Sequence, residues 1–180
     1  GTDGAVLWRR PGARAGIATP IFVPPDRLFF SSSDDDFGGI MVRIAAGPDG
    51  MTAEEVWSNP RMRNHFNASV VVGDHLYGFD NATFRCLDLA TGTPAWAHRG
   101  FGKGSLVASG DLLFVLSDFG LVVLVRASPE RFEELVRMLD GASSVVTALA
   151  PEIGYDRAAE LFKKALAEDK TIRQVILEDS

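Results

Sequence analysis

Nine consecutive residues recur in this chain at a spacing of 37. Ser69-Val70-Val71-Val72-Gly73-Asp74-His75-Leu76-Tyr77 overlays Leu106-Val107-Ala108-Ser109-Gly110-Asp111-Leu112-Leu113-Phe114. A recurrence of this kind requires one supersecondary unit to be built more than once. Gly73-Asp74 falls on Gly110-Asp111, a turn whose backbone suits the twist of paired strands. The same spacing sets Phe84–Leu89 on Leu121–Arg126, both strand-like runs. Ala18–Val23 and Arg27–Phe30, joined by Pro24-Pro25-Asp26, form an earlier copy. Tryptophan marks a further repeated position. Trp57 and Trp96 stand 39 apart, Trp8 precedes Trp57 by 49, and Gly4 and Gly92 each precede a Trp by four.

Strand-forming runs between these turns define three units of four strands. The first covers Ile17–Val23, Leu28–Ser32, Ile40–Ala45 and Glu54–Ser58. The second covers Ala68–Val72, His75–Asp80, Phe84–Leu89 and Pro94–His98. The third covers Ser105–Ser109, Leu112–Ser117, Leu121–Arg126 and a fourth element near Phe132–Arg137. A period of about 40 residues with four strands per unit is the pattern of a β-propeller blade. A two-sheet sandwich also strings short strands on regular turns, and it is the competing reading. The fold class read from the chain is mainly β: a partial β-propeller of about three four-stranded antiparallel blades, with a short C-terminal α-helical segment. Ser128-Pro129 carries a conflict. Ser at an N-cap and Pro at the first helical position predict a helix start, whereas the repeat makes them a turn before an outer strand. The local signal leans to helix.

Cys86-Leu87-Asp88-Leu89-Ala90-Thr91-Gly92-Thr93-Pro94-Ala95-Trp96 resembles the blade motif of pyrroloquinoline-quinone-like (PQQ-like) propeller repeats. Asp3–Trp8 resembles the end of a preceding blade, and Val70–Asp74 and Leu76–Asp80 also fit. The resemblance covers about residues 3–138. It implies that Trp8, Trp57 and Trp96, with Gly92, dock neighbouring blades. The third unit departs from the motif, with Glu133 at the place expected for Trp. Quinoprotein dehydrogenases of the wider family use a larger ring, a Ca²⁺ ion and often a vicinal cysteine pair. Cys86 is the single cysteine, so the resemblance extends to the scaffold and not to redox chemistry. Three blades do not close a ring of four to eight. Open blade edges imply a protein partner or self-association.

Composition changes near Met138–Ala142. Residues 1–128 hold ten Arg and one Lys, whereas the last forty residues hold three Lys and are rich in Ala, Leu and Glu. Ala158, Phe162, Ala165 and Leu166 fall on one helical face, and Thr171 with Gln174 forms a capping-box pattern. The predicted division is a propeller-type part at 1–138 and a helical tail at 139–180. Ser144–Ala159, with Lys163–Leu166 and Thr171–Glu178, resembles the start of the C-terminal domain of the class II fumarase and aspartate ammonia-lyase superfamily. The chemistry of that superfamily requires a serine-containing loop and a tetrameric helical bundle. Ser143-Ser144 is not followed by that loop's residues, so lyase activity is not implied. The two resemblances suggest a fusion or chimera. They imply opposite locations, extracytoplasmic for the propeller and cytoplasmic for the tail. The start at Gly1, without Met or a signal-peptide pattern, reads as a fragment or processed segment.

Charge and motifs narrow the remaining function classes. Net charge is −6 without a basic stripe, which argues against nucleic-acid binding. No apolar run is long enough for a membrane-spanning helix. Ser31–Gly39 contains Asp34-Asp35-Asp36, but adjacent carboxylates rarely converge on one Ca²⁺, so a solvated loop is expected and no metal site is assigned. His65, His75 and His98 lack zinc-protease spacing. His65 and Asn67 precede the first strand of the second unit, and Lys103 and Ser105 hold the matching place in the third. These four form a candidate polar cluster at a channel mouth, with ordinary surface polarity as the competing reading. Gly100–Ser105 is similar to part of a phosphate loop but lacks its Lys-Ser/Thr end and a following helix. No catalytic residue and no cofactor are assigned. The expected function is a non-catalytic scaffold or protein-interaction module. The alternatives are a fragment of a quinoprotein oxidoreductase and a fumarase or aspartate ammonia-lyase fragment without its catalytic loop.

Overall fold

The computed structural model describes residues 3–8, 18–34, 37–48 and 50–138, together with Glu160, Lys164, Glu168, Val175 and Glu178. Twelve strands run in chain order among the described residues: β1 Ile21–Val23, β2 Arg27–Ser32, β3 Gly38–Gly47, β4 Gly50–Asn59, β5 Val70–Val72, β6 His75–Asp80, β7 Thr83–Asp88, β8 Pro94–Arg99, β9 Ser105–Ser109, β10 Leu112–Leu116, β11 Val122–Arg126 and β12 Glu133–Met138. They form three four-stranded antiparallel sheets, β1–β4, β5–β8 and β9–β12, each an up-and-down meander in chain order. The three units read from the repeat are thus three blades.

The hairpins at Gly73-Asp74 and Gly110-Asp111 pair Val72 with His75 and Ser109 with Leu112. Beyond the second strand the repeat spacing becomes 38, because Phe79 faces Phe84 whereas Leu116 faces Val122. The β10–β11 turn holds one more residue than its counterpart. Each sheet also carries a bulge between its third and fourth strands, at Met41/Val42, Cys86/Leu87 and Leu124/Val125. The residue opposite the first member of each pair is Trp57, Trp96 and Val136 in turn. Val136 therefore holds the Trp position of the third blade, not Glu133, which faces Arg126. A constant spacing of 37 misses the added turn residue and two more between β11 and β12, where Leu87 faces Pro94 but Val125 faces Glu134.

The helix reading at Ser128-Pro129 is also corrected, since Glu133–Met138 is the outer strand of the third sheet. Ser128 acts as a local turn acceptor. Its Oγ takes the N–H of Glu130 at 3.3 Å, and its carbonyl takes the Trp96 indole N–H at 2.7 Å. The same short-range capping chemistry serves turns and helix starts alike, and here the edge of β11 decides.

Two apolar layers lie between the sheets. Phe29, Met41, Trp57 and Met62 pack with Leu76 and Leu87 between the first and second sheets. Tyr77, Phe79, Phe84 and Cys86 pack with Leu113, Val115, Val123 and Val125 between the second and third. Trp57 crosses the first boundary and donates its indole N–H to the Leu89 carbonyl at 3.0 Å. Its ring lies against Gly92, where a Cβ would come within 2.5 Å of it. Gly92 also has φ +71, a conformation suited to glycine. Asp88 shapes this turn by accepting from the backbone N–H groups of Ala90 and Thr91. Trp96 crosses the second boundary beside Tyr77, Phe84 and Phe132. Trp8 meets Phe30 edge-on at 6.5 Å.

In the C-terminal segment, Glu160, Lys164, Val175 and Glu178 are helical and Glu168 lies in a turn. The rest of the expected helical tail lies outside the described residues. Among the described residues, no helix is long and apolar enough to cross a membrane.

Candidate functional site

The connections between sheets lie against the turns that join second and third strands. Asn81 donates its N–H to the Arg63 carbonyl at 3.0 Å, and one blade later Asp118 donates to Phe101 at 3.1 Å. One end of the second and third sheets therefore gathers residues 60–69, 81–82, 100–104 and 117–121.

β2 and β6 end toward these loops in a buried polar residue, Ser32 and Asp80, and Ser117, just past β10, holds the matching register. The two serines hold their own turns. Ser32 Oγ accepts the Asp34 N–H, and Ser117 Oγ accepts from Phe119 and Leu121. Asp80 instead receives Arg63 Nε at 2.6 Å and Arg85 Nε at 3.0 Å. Burial pushes its carboxyl upward, but the hydrogen bonds from the two guanidinium groups outweigh burial and hold it below the usual carboxylate range. Beside it, Ser31 donates to the Met62 carbonyl and accepts the Asn64 N–H at 2.8 Å. Asn64 donates to Phe79 at 3.0 Å and accepts from Ser69 Oγ at 3.0 Å. These bonds tie the connection to both sheets.

The four residues expected to cluster occupy the gathered loops and the start of β9. His65 is half-buried and meets Phe66 edge-on at 4.0 Å, and its Nδ1 is buried without a hydrogen-bond partner. Asn67 and Lys103 are exposed. Ser105 begins β9 opposite Leu116 and is half-buried. Among the described contacts, no hydrogen bond or ion pair joins these four. The Lys103 backbone N–H donates to Asp118 at 2.9 Å, and a Cβ on Gly102 would meet the Asp118 carboxylate at 1.9 Å. The Gly100–Ser105 loop thus wraps an anion supplied by the chain itself.

Sequence reasoning missed the Arg63–Asp80–Arg85 set, whose members stand 17 and five positions apart in the chain. The available signal was the register of Asp80 with Ser32 and Ser117. The other candidates are placed as follows. Cys86 is fully buried, and burial pushes its thiol up to about 11. Burial, then Cys86 itself, pushes the neighbouring Tyr77 hydroxyl up. His98 stacks on Phe132 at 3.7 Å with rings 11° apart, and burial holds its imidazole below the usual range. His75 opens β6. Among the described residues, no group of three His, Cys, Asp or Glu is placed to hold a metal ion. Asp35 and Asp36 lie outside them.

A family model, Fumarase C C-terminus, matches residues 145–180. Fumarate hydratase class II of Pseudomonas putida is 47% identical over 45 residues, covering 25% of this chain and 10% of that protein. The same enzyme from Thermus thermophilus is 51% identical over 49 residues, covering 27% and 10%. The chain thus spans about a tenth of the length of the curated relatives it matches. Among solved structures, BamB from Moraxella catarrhalis aligns with 74% of this chain and 52% of its own, at 12% identity and a TM-score of 0.43. The chain is thus mainly β, three consecutive four-stranded sheets, and its C-terminal part is homologous to the class II fumarase C-terminus.

Proposed function

We propose that residues 1–138 act as a non-catalytic scaffold or protein-interaction module, and that residues 139–180 are a distinct fumarase-type unit fused to it. The observation that carries this reading is the commitment of buried Asp80 and exposed Asp118 to holding loops. Asp80 is taken up by Arg63 and Arg85, and Asp118 by the 100–104 loop. Arg61, Phe66, Asn67 and Lys103 are left exposed at that end. His65, Asn67, Lys103 and Ser105 are proposed as polar contacts for a protein partner there. Pyrroloquinoline quinone titrated into the full chain with Ca²⁺ tests this reading against the oxidoreductase alternative. The expected outcome is an unchanged quinone spectrum, and a tight, spectrally shifted complex would overturn the proposal.

The match over 145–180 favours a second reading, a lyase fragment that acts by complementing a larger subunit. Its mark would be turnover restored in a mixture with that subunit.

A further inference from the structure

The third sheet ends in β12, which among the described residues pairs with β11 alone and does so across a bulge. A strand held on one side only is where a sheet opens at least cost. Two contacts tie the approach to β12, residues 127–132, back to the outer strand of the second sheet. At one end Trp96 donates its indole N–H to the Ser128 carbonyl at 2.7 Å. At the other the imidazole of His98 lies flat on Phe132, with ring centres 3.7 Å apart and planes 11° apart. Both holders stand on β8, two residues apart. The Trp96 contact joins an indole to a carbonyl and has no group that titrates near neutral pH. The His98 contact does, because histidine changes charge there.

We propose that His98 is an acid-sensitive latch on the outer edge of the third sheet. Neutral, it clamps Phe132 and holds β12; protonated, it releases Phe132 and β12 opens. The surroundings of the ring set this direction. Phe84 pairs with His98 from β7, and Phe101 lies 5.4 Å away in the β8–β9 connection, so both present apolar rings. The charged groups that act on His98 are Glu134, which attracts an imidazolium, and Arg137, which repels it, both on β12. These two are already joined to each other by hydrogen bonds of 2.8 and 2.6 Å. The face of Phe132 attracts a cation weakly. Loss of water outweighs these attractions: burial is the leading influence on the ring and disfavours its charged form. Opening returns the imidazolium to water and gives up only the outermost strand. Trp96 keeps the start of the connection in place, so the motion is local and the sheets do not separate. In chain order β12 leads toward residues 145–180, so the latch acts on the strand that joins the sheets to the fumarase-type part.

Hydrogen exchange on the full chain, with each rate divided by its intrinsic value at the same pH, tests the latch beside an NMR titration of the His98 ring. Between about pH 7.5 and about pH 5, protection of amides 133–138 is expected to fall roughly fivefold or more. The midpoint of that fall should coincide with the His98 titration, while β6, β7 and β10 keep their protection. Glu134 does not confuse the reading, because the hydrogen bonds from Arg137 hold its carboxyl below the usual range and it stays charged. His98→Phe keeps a flat ring on Phe132 without a titrating group, so protection of 133–138 should become independent of pH over this range. The proposal is overturned if protection of 133–138 is flat in the parent chain, falls together with that of β6 and β10, or still falls in His98→Phe. Should His98→Phe fail to fold, the midpoint decides: a fall centred away from the His98 titration contradicts the latch.

Discussion

Asp80 is the charged residue on which the second blade turns. Its carboxylate is 2% exposed and meets two arginines, Arg63 from the connection and Arg85 from β7. The two guanidinium groups hold its pKa in the fold below the ordinary carboxylate value, so the unfolded chain binds the proton more tightly. The ion set therefore contributes its full stability above about pH 4, and that contribution is lost as pH falls through the folded value. Asp80→Asn is expected to cost roughly 2–4 kcal/mol near neutral pH, since it strips one member from a largely buried pair. It should also flatten the acid limb of a stability curve measured by urea unfolding from pH 2 to 7. A wild-type acid limb in the Asn variant would show that Asp80 does not carry this dependence. The sequence shows Asp80 only as the last residue of a strand. Its partners lie 17 positions before it and five after it, and no local pattern links them. His65 and Lys103, by contrast, were readable as residues of the connections, because the repeat itself locates those connections.

At the level of elements, turn residues made the hairpins legible. β6 and β9 were read with their structural bounds, since Gly73-Asp74 and Gly110-Asp111 fix their registers. The outer strands were harder to read. One added residue in the β10–β11 turn and two in the β11–β12 connection move the Trp position of the third blade to Val136, and Ser128-Pro129 signals a helix start that strand pairing overrides. What replaces a docking Trp near that edge is Phe132, which touches Phe84, Trp96 and Phe101 and stacks on His98. This stack ties β8 to the approach to β12, and it keeps His98 partly out of water. Burial is the main cause of the lowered His98 pKa, so Phe132→Ala should move it up toward 6.5, read by NMR titration of the ring protons. Because the folded value is depressed, neutral His98 favours the fold. Its contribution is full above about pH 6.5 and declines as pH falls. An unmoved His98 titration in Phe132→Ala would remove the stack as the cause.

For the whole molecule, three sheets are held in series by side chains that cross from one to the next. Trp57 reaches the second sheet and Trp96 the third, each through an indole hydrogen bond to a carbonyl. The flat ring supplies the buried apolar area and the N–H fixes its direction. Polar residues at the gathered-loop end are spent on the same task. The proposed scaffold role of residues 1–138 rests on this arrangement, and the homology over 145–180 is to the fumarase C-terminus. The change of composition near Met138–Ala142 falls between the last strand, which ends at Met138, and the stretch 145–180 that matches the fumarase C-terminus. The most direct measurement of the central claim is fumarate hydration by the purified full chain at saturating substrate. The expected rate equals that of buffer alone. Turnover that rises linearly with the concentration of this chain, and is abolished by a substitution within 145–178, would contradict the non-catalytic reading.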